Sequence, residues 1–94
     1  MKLSNIQNQF KLSNGKQISF GIVKSLWNEE ITQRLYDGCY ETLLKYGAVK
    51  KNIITVNVPG SFELIYGAKK ITEKSKLNAV IVIGSIIKGE TPHF

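Results

Sequence analysis

The sequence contains little that would cross-link the chain, anchor it in a membrane or export it. Its single cysteine, Cys39, cannot form an internal disulfide, so nothing indicates an oxidising compartment. The segment before Gln17 lacks the continuous apolar run of a secretory signal, and no stretch approaches the roughly 18 consecutive apolar residues of a membrane span. We therefore expect a cytoplasmic protein without a membrane partner.

Acidic residues are also scarce, with 7 Asp and Glu against 13 Lys and Arg, which gives a formal net charge of +6. Such a balance is compatible with nucleic acid or an anionic metabolite as partner. Most lysines are scattered singly, however, and only Lys50-Lys51 and Lys69-Lys70 form short pairs. This pattern favours a solvated surface, and we expect no nucleic-acid partner.

Motifs of the common cofactor and hydrolase sites are missing as well. The sequence has no Walker motif, no GxGxxG fingerprint, no metal-ligand cluster and no Ser/His/Asp set, and His93 is its one histidine. The chain has 94 residues, of which 43% are hydrophobic, and this content suffices for one compact domain. It contains no internal repeats.

The apolar segments alternate between strand and helix patterns. Residues 18–23 form a short β-branched and aromatic run, which predicts a first strand. A helix follows, with Asn28 as N-cap and with Glu29 and Glu30 at the positive end of the helix dipole. We expect Gly47 to end this helix in a left-handed conformation. The apolar stripe that turns this helix toward the core is predicted to consist of Ile31, Leu35, Cys39, Leu43 and Tyr46. Cys39 is expected to be a small core residue.

A second helix and two further strands complete the pattern. Residues 53–58 predict a strand that is stopped by Pro59-Gly60. Residues 79–87 have almost no polar alternation, as is typical of a parallel strand covered on both faces. The inward face of the helix between them is marked by Leu64, Ala68 and Ile71.

The resulting order β-α-β-α-β, with right-handed crossovers, predicts a doubly wound α/β sheet. A parallel strand as apolar as residues 79–87 needs a crossover helix to cover it. We therefore expect the natural protein to continue beyond Phe94.

Ligands of open α/β sheets bind outside the carboxyl ends of the strands, so the strand-to-helix junctions are the candidate sites. The first junction holds Trp27, whose ring either stacks on a planar heterocycle or packs on Ile31 as a hydrophobic staple. In the second, Phe62 offers an aromatic face and Glu63 a hydrogen-bond acceptor. The alternative is that Ser61 only caps the helix and Glu63 only complements its dipole.

The third junction predicts a phosphate site. Lys88 and the backbone amides of Gly89, Glu90 and Thr91 would lie at a helix N-terminus, which attracts anions. His93 is suited to proton transfer near neutral pH, although this residue taken alone favours a surface histidine one turn into a helix.

These junctions resemble the lumazine synthase family. Val58 to Glu63 matches the family's V-P-G-[AST]-[FWY]-E element, and Gly84 to Phe94 matches its G-x-[VI]-[IV]-[RK]-G-x-T-x-H-[FY] element. Trp27-Asn28-Glu29 is similar to the aromatic-Asn-Glu that follows the family's first strand. One departure is Ile65, where many members have proline.

The resemblance implies a flavodoxin-like, three-layer, mostly parallel doubly wound sheet and an enzyme of riboflavin biosynthesis. That enzyme condenses 5-amino-6-(D-ribitylamino)uracil with 3,4-dihydroxy-2-butanone 4-phosphate and needs no metal or organic cofactor. Trp27 would stack on the pyrimidine, with Asn28 and Phe62 beside it, and His93 would transfer protons. The other implied contacts are Ser61 and Glu63 to the ribityl chain, Ser85, Ile86 and Ile87 to the pyrimidine edge, and Lys88, Gly89, Glu90 and Thr91 to the phosphate.

The resemblance also implies how the chain is organised and assembles. Residues 18–94 correspond to part of the family's domain, without its C-terminal helices and last strand, and residues 1–17 to a tail that pairs with a neighbouring subunit. Family members form homopentamers or shells of 60 subunits, with sites between subunits, so we expect this segment alone to lack a complete site. The competing hypotheses are a non-catalytic flavin- or nucleotide-binding module, in which His93 has no task, and a basic nucleic-acid-binding domain.

Overall fold

A computed structural model describes residues 17–87, and these form a three-stranded parallel sheet with a helix on each face. The strands run in the order β2-β1-β3, and both pairings are parallel. Two single turns of 3-10 helix, Lys50–Asn52 and Ser61–Glu63, precede β2 and the second helix. The elements are β1 (Phe20–Ser25), α1 (Glu29–Lys45), β2 (Ile53–Val58), α2 (Leu64–Lys74) and β3 (Ala79–Ile83). This is the predicted α/β flavodoxin-like arrangement.

The central strand β1 divides the core into two halves. All six of its residues are buried, and successive side chains point to opposite faces of the sheet. Phe20 and Ile22 face α1, where they pack with Leu43, Ala48 and Ile83. On the other face Val23 packs with Val58, Leu64 and Ile71 under α2. Because the two helices cover opposite faces, the fold has three layers.

Helix α1 ends as predicted, in a left-handed glycine. Gly47 has φ 103°, its N–H donates to Leu44 O, and the N–H of Ala48 donates to Leu43 O at 2.8 Å. This is the Schellman arrangement, and Ala48 also packs against Leu43. Cys39 packs partly buried against the same core, as predicted, and burial raises the pKa of its thiol.

The inward stripe of α1 was predicted wrongly in its first half. Ile31 and Leu35 are 43% and 51% exposed, and the sheet-facing positions one residue later are Thr32 and Tyr36. Thr32 tolerates burial because its hydroxyl bonds back to the carbonyl of Asn28. Tyr36 is partly buried, and its hydroxyl lies 2.9 Å from Thr55 Oγ1.

The boundaries of two strands also differ from the prediction, whereas β2 covers the predicted residues 53–58. β1 begins later, at Phe20, and continues through the polar Lys24 and Ser25. Lys24 is buried there because its Nζ donates to Gln33 Oε1 and lies 5.4 Å from the centre of the Tyr36 ring.

β3 ends at Ile83 rather than at residue 87. Its pairing with β1 stops at Lys24↔Ile83, and β1 itself ends one residue later. Residues 84–87 therefore continue past β3 without a ladder partner among residues 17–87. The strand also lies at one edge of the described sheet, and Val82 is exposed rather than covered.

The α2 face is as predicted, with Leu64 and Ile71 buried and Ala68 partly buried. Gly67 is buried between them and lies against β1 and β2. A Cβ at position 67 would stand 2.7 Å from Val23 Cγ1 and 2.8 Å from Val58 Cγ1, both of which belong to stiff branched side chains. Helix α2 can therefore lie this close to the sheet only because the residue at position 67 is glycine and has no side chain.

We expect Gly67→Ala to lower the free energy of unfolding by about 1–3 kcal/mol, because overpacking outweighs the better helix propensity of alanine. Gly38→Ala is the matched control, since Gly38 is also helical but a Cβ there meets nothing within 4 Å. That substitution should stabilise the protein by up to about 1 kcal/mol. Urea unfolding of both variants checks this, and equal effects of the two substitutions would contradict the close approach at Gly67.

Candidate active site

The first two junctions and residues 85–87 of the third meet around one cavity at the carboxyl edge of the sheet. Its volume is about 500 Å³, within the range of small-molecule sites. The lining is mostly apolar, with backbone groups and two hydroxyls as the polar elements. The residues that line it are Trp27, Gly60, Ser61, Phe62, Ser85, Ile86 and Ile87. All of them were singled out from the sequence, and the fold brings them together because parallel strands end at the same edge.

Trp27 presents an accessible ring at this edge. The N–H of Leu26 donates to Val58 O at 2.8 Å and so carries the β1–β2 pairing one residue further. The N–H of Trp27 then donates to Ser25 Oγ at 3.1 Å, which turns the chain out of the sheet. The side chain is 60% exposed, so most of the ring is available to a ligand. Ser25 was not identified from the sequence, although a serine whose hydroxyl can accept the backbone N–H two residues later is a recognisable turn signal.

Asn28 occupies the predicted N-cap position, but it does not cap the helix through its side chain. Its backbone is left-handed, with φ 56° and ψ 51°, whereas a capping side chain requires an extended backbone. The side-chain Nδ2 is buried and has no hydrogen-bond partner within the described residues. The carbonyl of Asn28 instead accepts the N–H groups of Ile31 and Thr32. Asn28 does not line the cavity.

The second junction turns sharply into α2. Gly60 is extended, and the turn Ser61–Glu63 leads directly into Leu64. Phe62 is 94% exposed and lines the cavity. Glu63 lies just before α2 and outside the lining, and its Oε1 would be 2.9 Å from a Cβ on Gly60, so the carboxylate folds back over that glycine. The alternative that Ser61 caps the helix is wrong, since no side-chain capping bond forms there.

Ser61 instead joins the second junction to the third. Its hydroxyl donates to the carbonyl oxygen of Ser85 at 3.0 Å. Ile86 and Ile87 follow as exposed apolar residues, and the hydroxyl of Ser85 is buried without a partner within residues 17–87. The predicted phosphate and proton-transfer residues, Lys88 to Thr91 and His93, lie outside the described residues.

Residues 17–87 hold neither a candidate membrane span nor a candidate metal-ligand cluster. Neither of the helices there has the length and apolar content needed to cross a membrane. No cluster of three or more His, Cys, Asp or Glu within the same residues could hold a metal ion. The residues that line the described cavity can supply aromatic stacking, apolar contact and hydrogen bonding.

Known proteins resemble this chain over the same residues that build the cavity. Residues 17–94 match the family described as 6,7-dimethyl-8-ribityllumazine synthase. A protein of that name from Flavobacterium psychrophilum is 59% identical over 83 residues, which are 88% of this chain and 44% of the relative. The protein of the same name from Cytophaga hutchinsonii is 56% identical over 80% of this chain and 47% of the relative. The one from Bacteroides fragilis is 53% identical over 82% of this chain and 54% of the relative.

This chain spans about half the length of the curated relatives that it matches. The match nevertheless covers most of the chain and includes all three junctions. The chain belongs to the 6,7-dimethyl-8-ribityllumazine synthase family.

Proposed function

We propose that the protein, at its natural length, is a 6,7-dimethyl-8-ribityllumazine synthase of riboflavin biosynthesis. It condenses 5-amino-6-(D-ribitylamino)uracil with 3,4-dihydroxy-2-butanone 4-phosphate and releases phosphate and water. The observation that carries the proposal is the cavity at the carboxyl edge, which is lined by described residues of all three sequence elements of the family.

The pyrimidine substrate binds in the cavity between Trp27 and the 85–87 segment. The exposed ring of Trp27 supplies a flat stacking surface. Backbone groups at Ser85, Ile86 and Ile87 bond to the edge of the pyrimidine, and the exposed side chains of Ile86 and Ile87 exclude water from its faces. An apolar lining with a few polar groups suits a planar heterocycle of this kind.

The ribityl chain extends along the second junction. Glu63 is exposed and accepts hydrogen bonds from the ribityl hydroxyls, while the carboxylate stays close to the extended backbone at Gly60. The backbone of Ser61 and the ring of Phe62 lie beside it on the cavity wall. Asn28, whose amide nitrogen lacks a partner in the described part of the chain, supports the first junction.

The phosphate substrate binds to the residues that follow Ile87 in the chain. Lys88 and the amides of Gly89, Glu90 and Thr91 hold the phosphate, as the family resemblance implies. His93 transfers protons as the amine attacks the ketone, as water and phosphate leave, and as the ring closes. Much of the rate enhancement comes from holding the two reactants in the correct orientation, which contributes up to roughly 7–11 kcal/mol.

The protein acts as a homo-oligomer in the cytoplasm, either a pentamer or a shell of 60 subunits, as the resemblance implies. Large apolar side chains that are exposed on the described part of the chain support burial against the rest of the protein or a neighbouring subunit. They include Ile31, Leu35, Ile65, Tyr66 and Val82.

Trp27→Ala should weaken binding of 6,7-dimethyl-8-ribityllumazine by about 5- to 150-fold, since loss of an aromatic stacking partner costs about 1–3 kcal/mol per base. Trp27→Phe keeps a flat ring and should retain most of the affinity. Titration calorimetry on the protein at its natural length checks both variants. Unchanged affinity in Trp27→Ala would remove Trp27 from the site.

The protein at its natural length should form the lumazine from the two substrates, followed by absorbance. His93→Gln should lower kcat on the order of a hundredfold, the typical contribution of a general acid or base, and should leave product affinity within about twofold. A folded protein that binds the product but never forms it would support the non-catalytic binding module. Unchanged turnover in His93→Gln would exclude the histidine from the mechanism.

A further inference from the structure

We propose that Ser61 is a positioning residue, and that its hydroxyl fixes the backbone of residues 84–87 for recognition of the pyrimidine. The inference rests on the proposed function, but it assigns the Ser61 side chain to the protein's own backbone rather than to the ribityl chain. Its basis is the hydrogen bond that Ser61 Oγ donates to the carbonyl oxygen of Ser85 over 3.0 Å. The two residues are 24 positions apart in the sequence.

The 84–87 segment needs an anchor because it has left the sheet. Its last ladder pair is Lys24↔Ile83, so no strand in the described part of the chain pairs with the backbone beyond that point. The side chains of Ile86 and Ile87 contribute little packing to hold it, since both residues are more than half exposed. Within residues 17–87, the Ser61 hydroxyl makes the one side-chain hydrogen bond that joins this segment to the second junction.

The packing at Gly84 places the segment tightly against the same junction. A Cβ on Gly84 would stand 2.5 Å from Leu64 Cδ1 and 3.4 Å from Ser61 Oγ. The chain thus passes against the beginning of α2 at Gly84, and one residue later it is bonded to Ser61. Gly84 and Ser85 are therefore both held by residues at or just before the beginning of α2. These contacts set the distance between the second junction and the 84–87 segment at the cavity.

Fixing the Ser85 carbonyl also fixes the next amide. The peptide unit is planar and trans, so its C=O and N–H point in opposite directions. The N–H of Ile86 is therefore turned away from Ser61, and it has no hydrogen-bond partner within the described residues. An oriented donor on a residue that lines the cavity, unpaired within residues 17–87, is suited to an acceptor on the edge of a pyrimidine. The Ser61 hydroxyl aims this donor without touching the ligand.

The test compares two ligands in the protein at its natural length. They are 6,7-dimethyl-8-ribityllumazine and 6,7-dimethyllumazine, which lacks the ribityl chain. We expect Ser61→Ala to weaken both by the same factor, about 2- to 12-fold, equivalent to one neutral hydrogen bond. Ser61→Thr keeps the hydroxyl and should restore the affinity. Ser75→Ala, at the far end of α2 from the cavity, is the matched control and should change neither.

A second measurement follows the backbone directly. Amide hydrogen exchange at Ser85, Ile86 and Ile87 should become faster in Ser61→Ala, while exchange in β1 stays unchanged. Weakening of the ribityl ligand alone would overturn the proposal and make Ser61 a direct ribityl contact. Unchanged affinity for both ligands would also overturn it. If the unaltered protein binds neither ligand, the proposed function is wrong, and the exchange rates alone decide whether Ser61 fixes the segment.

Discussion

Burial of β1 on both faces is the constraint on which the rest of the structure depends. A strand in this position must be covered by a strand on each side and a helix on each face, and the chain provides all four. The parallel crossovers that achieve this coverage return the chain to the same edge each time. As a result, three segments far apart in sequence end around one cavity, and the site is a direct consequence of how the core is built.

The end of β1 connects the core to the site through polar residues. Lys24 and Ser25 are buried, and a buried charge or hydroxyl is costly without a partner. Lys24 finds Gln33 and the ring of Tyr36 on α1, and Ser25 accepts the N–H of Trp27. The first bond ties the first half of α1 to the sheet, and the second fixes the turn that exposes the tryptophan. Residues that stabilise the fold here also position the candidate ligand platform.

How much the sequence predicts depends on whether a signal is local. The β2 strand, the Gly47 helix end and the α2 face follow from neighbouring residues, and all three predictions are confirmed. The ends of β1 and β3 could not be predicted, because they depend on where the paired strand stops and on partners such as Gln33. The first half of the inward face of α1 was predicted wrongly, because Thr32 is buried and Tyr36 partly buried with hydrogen bonds that apolar periodicity does not register. The residues of the cavity were predictable from topology, but the Ser61–Ser85 bond was not.

The proposed function requires that the carboxyl-edge cavity hold the pyrimidine part of the ligand. A crystal structure of the protein at its natural length with bound 6,7-dimethyl-8-ribityllumazine tests it most directly. We expect the heterocycle to lie against the ring of Trp27, the N–H of Ile86 to bond to its edge, and the ribityl chain to run toward Glu63. A heterocycle bound elsewhere, with this cavity empty, would contradict it.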